Sequence, residues 1–268
     1  MRGRGFTFFH LVALALIGVY YLVLFLLPAD PTNPSAEFYV SDYAEAFSSA
    51  TKDHFLSKSD EVFRRSEGKD PGGLQIVTAT YRYPSTGSET YNKTELFRKW
   101  KIGENDMGLL LLYSYEVTAT GGIRLFKSEA EIGYRLSGYL TAGEMGRIFD
   151  ETLGTLKDYS DRVSLEIAQA KAYGLVLENV IPEAYNIAVT PFDEARYEDY
   201  LIHYDGESYP PSHPLSTWDF VFAFQGDFFY GFGIPLIVLG VVLLGDGAIF
   251  ASGRGGSSGG GGVFRIFR

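Results

Sequence analysis

Residues 108–114 read GLLLLYS, and no other stretch restricts the fold as tightly. The run has strand length, and successive side chains of a strand point to opposite faces. Four leucines in succession leave neither face to water, so the segment belongs in a sheet covered on both sides. The neighbouring segments can supply that cover. Residues 50–67 have helical patterning, with Phe55 and Leu56 answered by Val62 and Phe63, a cap at Ser49 and a stop at Gly68. Asp70-Pro71-Gly72-Gly73 is turn chemistry, and LQIVTAT at 74–80 reads as a β-branched strand. After a loop at 83–87, a helix over about 90–101 places Leu96, Phe97 and Trp100 on one face. Residues 121–133 alternate more and should pair with the leucine run. Thr141 and Glu144 form a capping box ahead of an apolar stripe through Met145, Ile148, Phe149, Leu153 and Leu156. A last helix is expected from about 162 to 180, stopping before Pro182. Together these segments predict an α/β fold, a three-layer α/β/α domain with a small mixed β-sheet.

The two ends of the chain point to a membrane. Residues 6–27 carry no charge and follow Arg2 and Arg4. As a helix they reach roughly the 30 Å of a bilayer core. Residues 1–28 therefore read as an N-terminal signal anchor, with a cleaved signal peptide the alternative. A second apolar run at 228–244, interrupted by Pro235, predicts a transmembrane helix within 228–250; a buried helix or hairpin is the alternative. The tail, 251–268, is glycine-rich and basic, with Arg254, Arg265 and Arg268 and no acid. Positive charge at both ends suits cytoplasmic termini, which leaves the acidic middle on the extracytoplasmic side. Residues 29–36 read as a linker, 37–185 as the folded domain, and 186–227 as an acidic stalk rich in proline and tyrosine. The formal net charge of −10 comes without clustered Lys and Arg, which argues against nucleic acid as a partner. With no cysteine, disulfides and thiolate chemistry are excluded.

Little in the sequence suggests catalysis. His54, His203 and His213 stand outside any nucleophile or paired-histidine motif, and the glycines at 255–262 are joined to no phosphate-loop Lys. Asn92-Lys93-Thr94 is a glycosylation sequon. The corner Glu104-Asn105-Asp106-Met107-Gly108 holds more interest. If the following hairpin turns around Thr118, Asp106 lies opposite Glu131, with Glu104 close by. Carboxylates gathered at one end of a sheet repel unless a cation or protons neutralise them, and oxygen-only ligands suit Ca²⁺ first and Mg²⁺ second. A polar turn with solvated acids is the plainer alternative.

Four stretches together resemble the TPM domain family, the domain of the plant thylakoid lumen phosphatase-like protein involved in photosystem II repair. They are VSDYA at 40–44, LQIVTAT at 74–80, FRKWKIGENDMGLLLLYS at 97–114 and EIGYRLSGYLTAGEMGRIFDE at 131–151. Bacterial relatives often place this domain between an N-terminal signal and a membrane helix with a glycine-rich tail. The resemblance implies a compact α/β/α domain and a Ca²⁺ site, carried here by Asp42, Asp106 and Glu131. It also implies a weak acid phosphatase activity. Four positions depart from the family pattern. Met107 stands in its Asp-Asn-Gly, Arg135 and Ser137 stand in its Gly-Tyr-Gly-Leu-Glu-Gly, and Ala142 replaces an Asp after Leu-Thr. Two acidic positions are thereby lost. The expectation is a membrane-tethered extracytoplasmic module that assists assembly or maintenance of membrane or envelope proteins and binds membrane-protein partners. A divalent-metal-dependent phosphatase working at the carboxylates is the alternative.

Overall fold

The computed structural model describes residues 15, 32–35, 37–83 and 91–206. Those from 32 onward fall within one compact unit, Ala29–Gln225. The other unit, Met1–Pro28 with Gly226–Arg268, lies outside the described residues apart from residue 15. The expected membrane segments and basic tail fall there. Among the described residues no helix is long and apolar enough to cross a membrane.

Four strands form one mixed sheet in the order β1-β2-β3-β4. β1 (Val40–Asp42) and β3 (Gly108–Val117) both run parallel to β2 (Gln75–Arg82), and β4 (Ile123–Ile132) runs antiparallel to β3. The leucine run lies inside β3, where Leu109 to Leu112 are at most 1 % exposed, as a strand covered on both faces requires. Leu109, Leu111 and Tyr113 point to one face and Leu110 and Leu112 to the other.

The first face is covered by α1 (Ser49–Ser66), α3 (Ala142–Thr152) and α4 (Arg162–Tyr185). Phe47, just before α1, meets Tyr113 edge-on at 6.4 Å, and Phe149 of α3 meets the same ring at 6.3 Å. Phe55 of α1 packs on Tyr173 of α4 at 5.1 Å. A buried hydroxyl chain fastens this layer to the sheet. Ser59 Oγ donates to the Ile76 carbonyl at 2.8 Å and accepts from the Tyr173 hydroxyl at 2.7 Å. The second face carries the short helix α2 (Lys93–Trp100), whose Lys93 ammonium donates to the Ala130 carbonyl of β4 at 2.7 Å. Trp100, fully buried, donates from Nε1 to the Thr32 carbonyl at 2.8 Å, so residues ahead of β1 belong to this layer.

The helix ends follow local chemistry. Thr141 and Glu144 form the expected capping box, with Thr141 Oγ1 accepting from Glu144 N and Glu144 Oε2 accepting from Thr141 N. The cap of α1 is Ser48 and not Ser49, and Asn92 of the sequon caps α2 by accepting from Thr94 N and Glu95 N.

Three expectations are corrected. The final helix does not stop before Pro182. That residue sits in its last turn, where a missing N–H costs one hydrogen bond, and the chain leaves through Asn186 in the left-handed region. The hairpin turns about Thr120, two residues beyond Thr118, with Thr118 N donating to the Gly122 carbonyl at 2.8 Å. A register shift at Ser114/Tyr115 adds to the offset, and Glu131 lies opposite Leu110 rather than Asp106. The stalk reading of 186–227 also fails over its first part. α5 (Glu194–Ile202) docks on the domain, with Tyr197 only 4 % exposed and its hydroxyl 3.0 Å from Thr51 Oγ1 of α1. Residues 207–227 lie outside the described residues.

Candidate functional site

The corner between α2 and β3 is built from backbone that only certain residues can adopt. Gly103 has φ 92°, and Asn105 and Asp106 follow in the left-handed region inside the 3₁₀ turn Glu104–Asp106. Asn and Asp tolerate that region better than other side chains. A Cβ on Gly103 would stand 2.2 Å from Gly108 N, and one on Gly133 would stand 2.2 Å from the Asp106 carbonyl oxygen. Glycine at these points lets α2, the corner and the end of β4 close on one another.

The carboxylates here hold loops together. Glu104 Oε2 accepts from Gly73 N at 2.7 Å and Gly68 N at 3.3 Å, fixing the turn that leads into β2. From the opposite direction, Gly103 N donates to Gln75 Oε1 at 2.7 Å. Glu131 is half-buried and pairs with Lys93 at 3.4 Å. The Asp106 side chain is exposed and has no hydrogen-bond or ion-pair partner among the described residues.

Asp42 stands elsewhere. It is the last residue of β1, level with Thr80 of β2, which is level with Tyr113 of β3. Five residues of strand separate Tyr113 from Gly108, so Asp42 is about 16 Å along the sheet from the corner. Both of its oxygens are engaged. Oδ1 accepts from Ala46 N at 2.9 Å and from Thr80 Oγ1, while Oδ2 accepts from Phe47 N at 3.2 Å and pairs with Lys52 at 2.9 Å. The structure thus brings Asp106 and Glu131 to one end of the sheet and Asp42 to the other. These residues do not fit a single three-carboxylate Ca²⁺ or Mg²⁺ site, and among the described residues no three acidic or histidine side chains converge as metal ligands would.

Two features gave no signal in the sequence. Glu166 of α4 is 3 % exposed, yet it accepts from Ser48 N at 2.7 Å and pairs with Arg162 at 3.0 Å. It ties the start of α1 to α4. The second is a cavity of about 540 Å³ between α1, α4 and residues 187–200. His54 lies at its edge under Tyr197, with ring centroids 4.7 Å apart. Burial, with Lys58 adding to it, pushes His54 down to about 4, so it is neutral at ordinary pH. On the opposite wall, burial pushes the Tyr185 hydroxyl up to about 12, and that group donates to the Gly72 carbonyl at 2.5 Å.

Residues 40–161 match the sequence profile of the TPM domain. They form a TPM domain. A search of curated proteins finds no match to the chain. Among solved structures, the N-terminal domain of a protein from P. gingivalis, determined in solution by NMR, is similar at 23 % identity and a TM-score of 0.37. That match covers 57 % of this chain and 94 % of the other. The TPM match ends just where α4 begins, so the docked helices α4 and α5 lie beyond it.

Proposed function

We propose that this chain is a membrane-tethered extracytoplasmic TPM-domain protein that works as a binding module in the assembly or maintenance of membrane or envelope proteins. One observation carries the reading: of the four candidate acids, Glu104, Asp42 and Glu131 are engaged in holding the fold, which leaves Asp106 alone at the corner. Glu104 holds the turn at Gly68 and Gly73, Asp42 holds the loop after β1, and Glu131 pairs with Lys93. What the amino-terminal end of β3 offers outward is a contact surface. There Tyr134 is 87 % exposed, next to Gly133, which packs against the corner. An exposed tyrosine combines apolar area with a polar tip, the combination enriched where proteins meet. The uncharged runs on either side of the domain supply the tether.

A photo-crosslinking residue placed at Tyr134 of the full chain in intact cells should yield discrete adducts with membrane proteins. The same probe at Val163, 52 % exposed at the start of α4, should yield none. Equal labelling from both positions, or no adduct from Tyr134, would count decisively against the proposal. So would phosphomonoester turnover by the purified chain that disappears in Asp106→Ala.

A further inference from the structure

The cavity beside α1 has the chemistry of a ligand site, and it owes nothing to the corner. Part of its wall is apolar: Val62 from α1, Leu177 and Ile181 from α4, and Ile187 from the segment that crosses back over α4. That segment is held close, because Phe192 lies against Gly174, where an added Cβ would stand 2.7 Å from the Phe192 Cβ. Phe192 N also donates to Glu178 Oε1 at 2.7 Å. The volume of about 540 Å³ falls within the range of small-molecule pockets, roughly 300–1,000 Å³.

The mouth is cationic on an acidic protein. Lys58 and Arg65 both pair with one carboxylate, Glu61, at 3.1 and 3.2 Å, so two positive charges share one negative charge. Arg196 also lines the opening, and its guanidinium has no ion-pair partner among the described residues. The remaining acid, Asp193, caps α5 by accepting from Arg196 N at 3.1 Å. Among the lining residues three cations stand against two acids, with Glu178 just outside them taken up by Phe192 N, on a chain of net charge −10. His54 adds no charge to this lining, since it is neutral above about pH 4.

We infer that this cavity binds a single-chain anionic amphiphile, with the alkyl chain against Val62, Leu177, Ile181 and Ile187 and the anionic head at Arg196 and Arg65. A carboxylate suits the fork of a guanidinium, and each methylene removed from water contributes about 0.8 kcal/mol. The same chemistry could be presented by a free fatty acid or by an anionic phospholipid, and a volume of about 540 Å³ suits the single chain of the first.

The test uses the full chain in nanodiscs of zwitterionic lipid, titrated with laurate by calorimetry against empty nanodiscs. Saturable one-to-one binding is expected above the nanodisc background. Arg196→Glu, an exposed position, should weaken laurate at least tenfold while leaving dodecanol within about twofold. Ile187→Trp, which fills the cavity from the crossing segment, should abolish both. Lys171→Glu, whose partner Glu194 lies outside the cavity, should change neither. Unchanged laurate binding in both Arg196→Glu and Ile187→Trp would overturn the inference, as would uptake that only scales with lipid. Capture of the chain by phosphatidylglycerol vesicles, lost in Arg196→Glu without laurate binding, would assign the mouth to a membrane headgroup and overturn it equally.

Discussion

At the residue scale, Asp42 and Asp106 separate two roles that carboxylates of similar sequence context can play. The Asp42 side chain is 4 % exposed and has four partners, two of them backbone N–H groups of the loop into α1. Removing it strands those donors and leaves Lys52 facing a gap. Lys52 is one-third exposed and can turn to water, so the loss comes mainly from the buried donors. Asp42→Ala should therefore cost about 2–3 kcal/mol in urea unfolding, whereas exposed Asp106→Asn, which keeps a side chain suited to the left-handed φ there, should stay within about 0.5 kcal/mol. Calcium supplies the companion measurement. If Asp42, Asp106 and Glu131 shared one ion, Ca²⁺ at a hundred times its dissociation constant would stabilise the wild type by about 2.7 kcal/mol. The separation along the sheet predicts no such shift. A Ca²⁺-dependent midpoint that vanished in both Asp42→Ala and Asp106→Ala would refute this placement.

Among the elements, α5 depends on an aromatic contact that titrates. His54 of α1 sits under Tyr197 and within 6.1 Å of the Tyr200 ring. Burial first, then Lys58, lowers it from 6.5 to about 4. The unfolded chain takes up the proton below about pH 6.5, while the folded chain holds off until about 4. The stability tied to neutral His54 is thus complete above 6.5 and falls progressively as pH drops toward 4, by about 3 kcal/mol at most. His54→Phe keeps a ring against Tyr197 and should flatten the urea midpoint across that interval; an unchanged slope would mean that other groups set the acid sensitivity. The same elements explain what the sequence disclosed. β3 and the capping box of α3 were legible because their signals are local, four leucines in one case and Thr141 with Glu144 in the other. β1 has three residues, too few for an alternating pattern to register. The β3–β4 register was hidden because the strand runs on to Val117 and a bulge intervenes, so Glu131 meets Leu110. The distance of Asp42 from the corner depends on two parallel pairings across the sheet, which no local pattern encodes. α5 looked like solvated stalk because Tyr197 is its only buried residue among acids.

For the whole molecule, the question is how much chain the fold needs, and the TPM match at 40–161 understates it at both ends. Upstream, Trp100 is 0 % exposed and its Nε1 has the Thr32 carbonyl as partner, while the Tyr43 hydroxyl donates to the Asn33 carbonyl. A chain starting at 40 leaves both donors without these acceptors. Downstream, α4 covers one face of the sheet with Ala170, Ala172, Tyr173 and Val176, each at most 1 % exposed. Ending at 161 removes Gln169, which donates to the Tyr115 hydroxyl of β3 at 2.8 Å, and breaks the link from Ser59 to Tyr173. Without α4 that face is left to α1 and α3 alone, and each large core side chain uncovered forfeits about 1.5–3 kcal/mol. A fragment of 40–161 should therefore fail to fold, showing no cooperative thermal transition and poorly dispersed amide resonances. Residues 29–206 retain both layers and the docked α5, and should melt cooperatively with well-dispersed resonances. Cooperative melting of 40–161 would mean that α4 and α5 are additions to a self-sufficient core; failure of 29–206 would mean that the domain needs chain beyond the described residues.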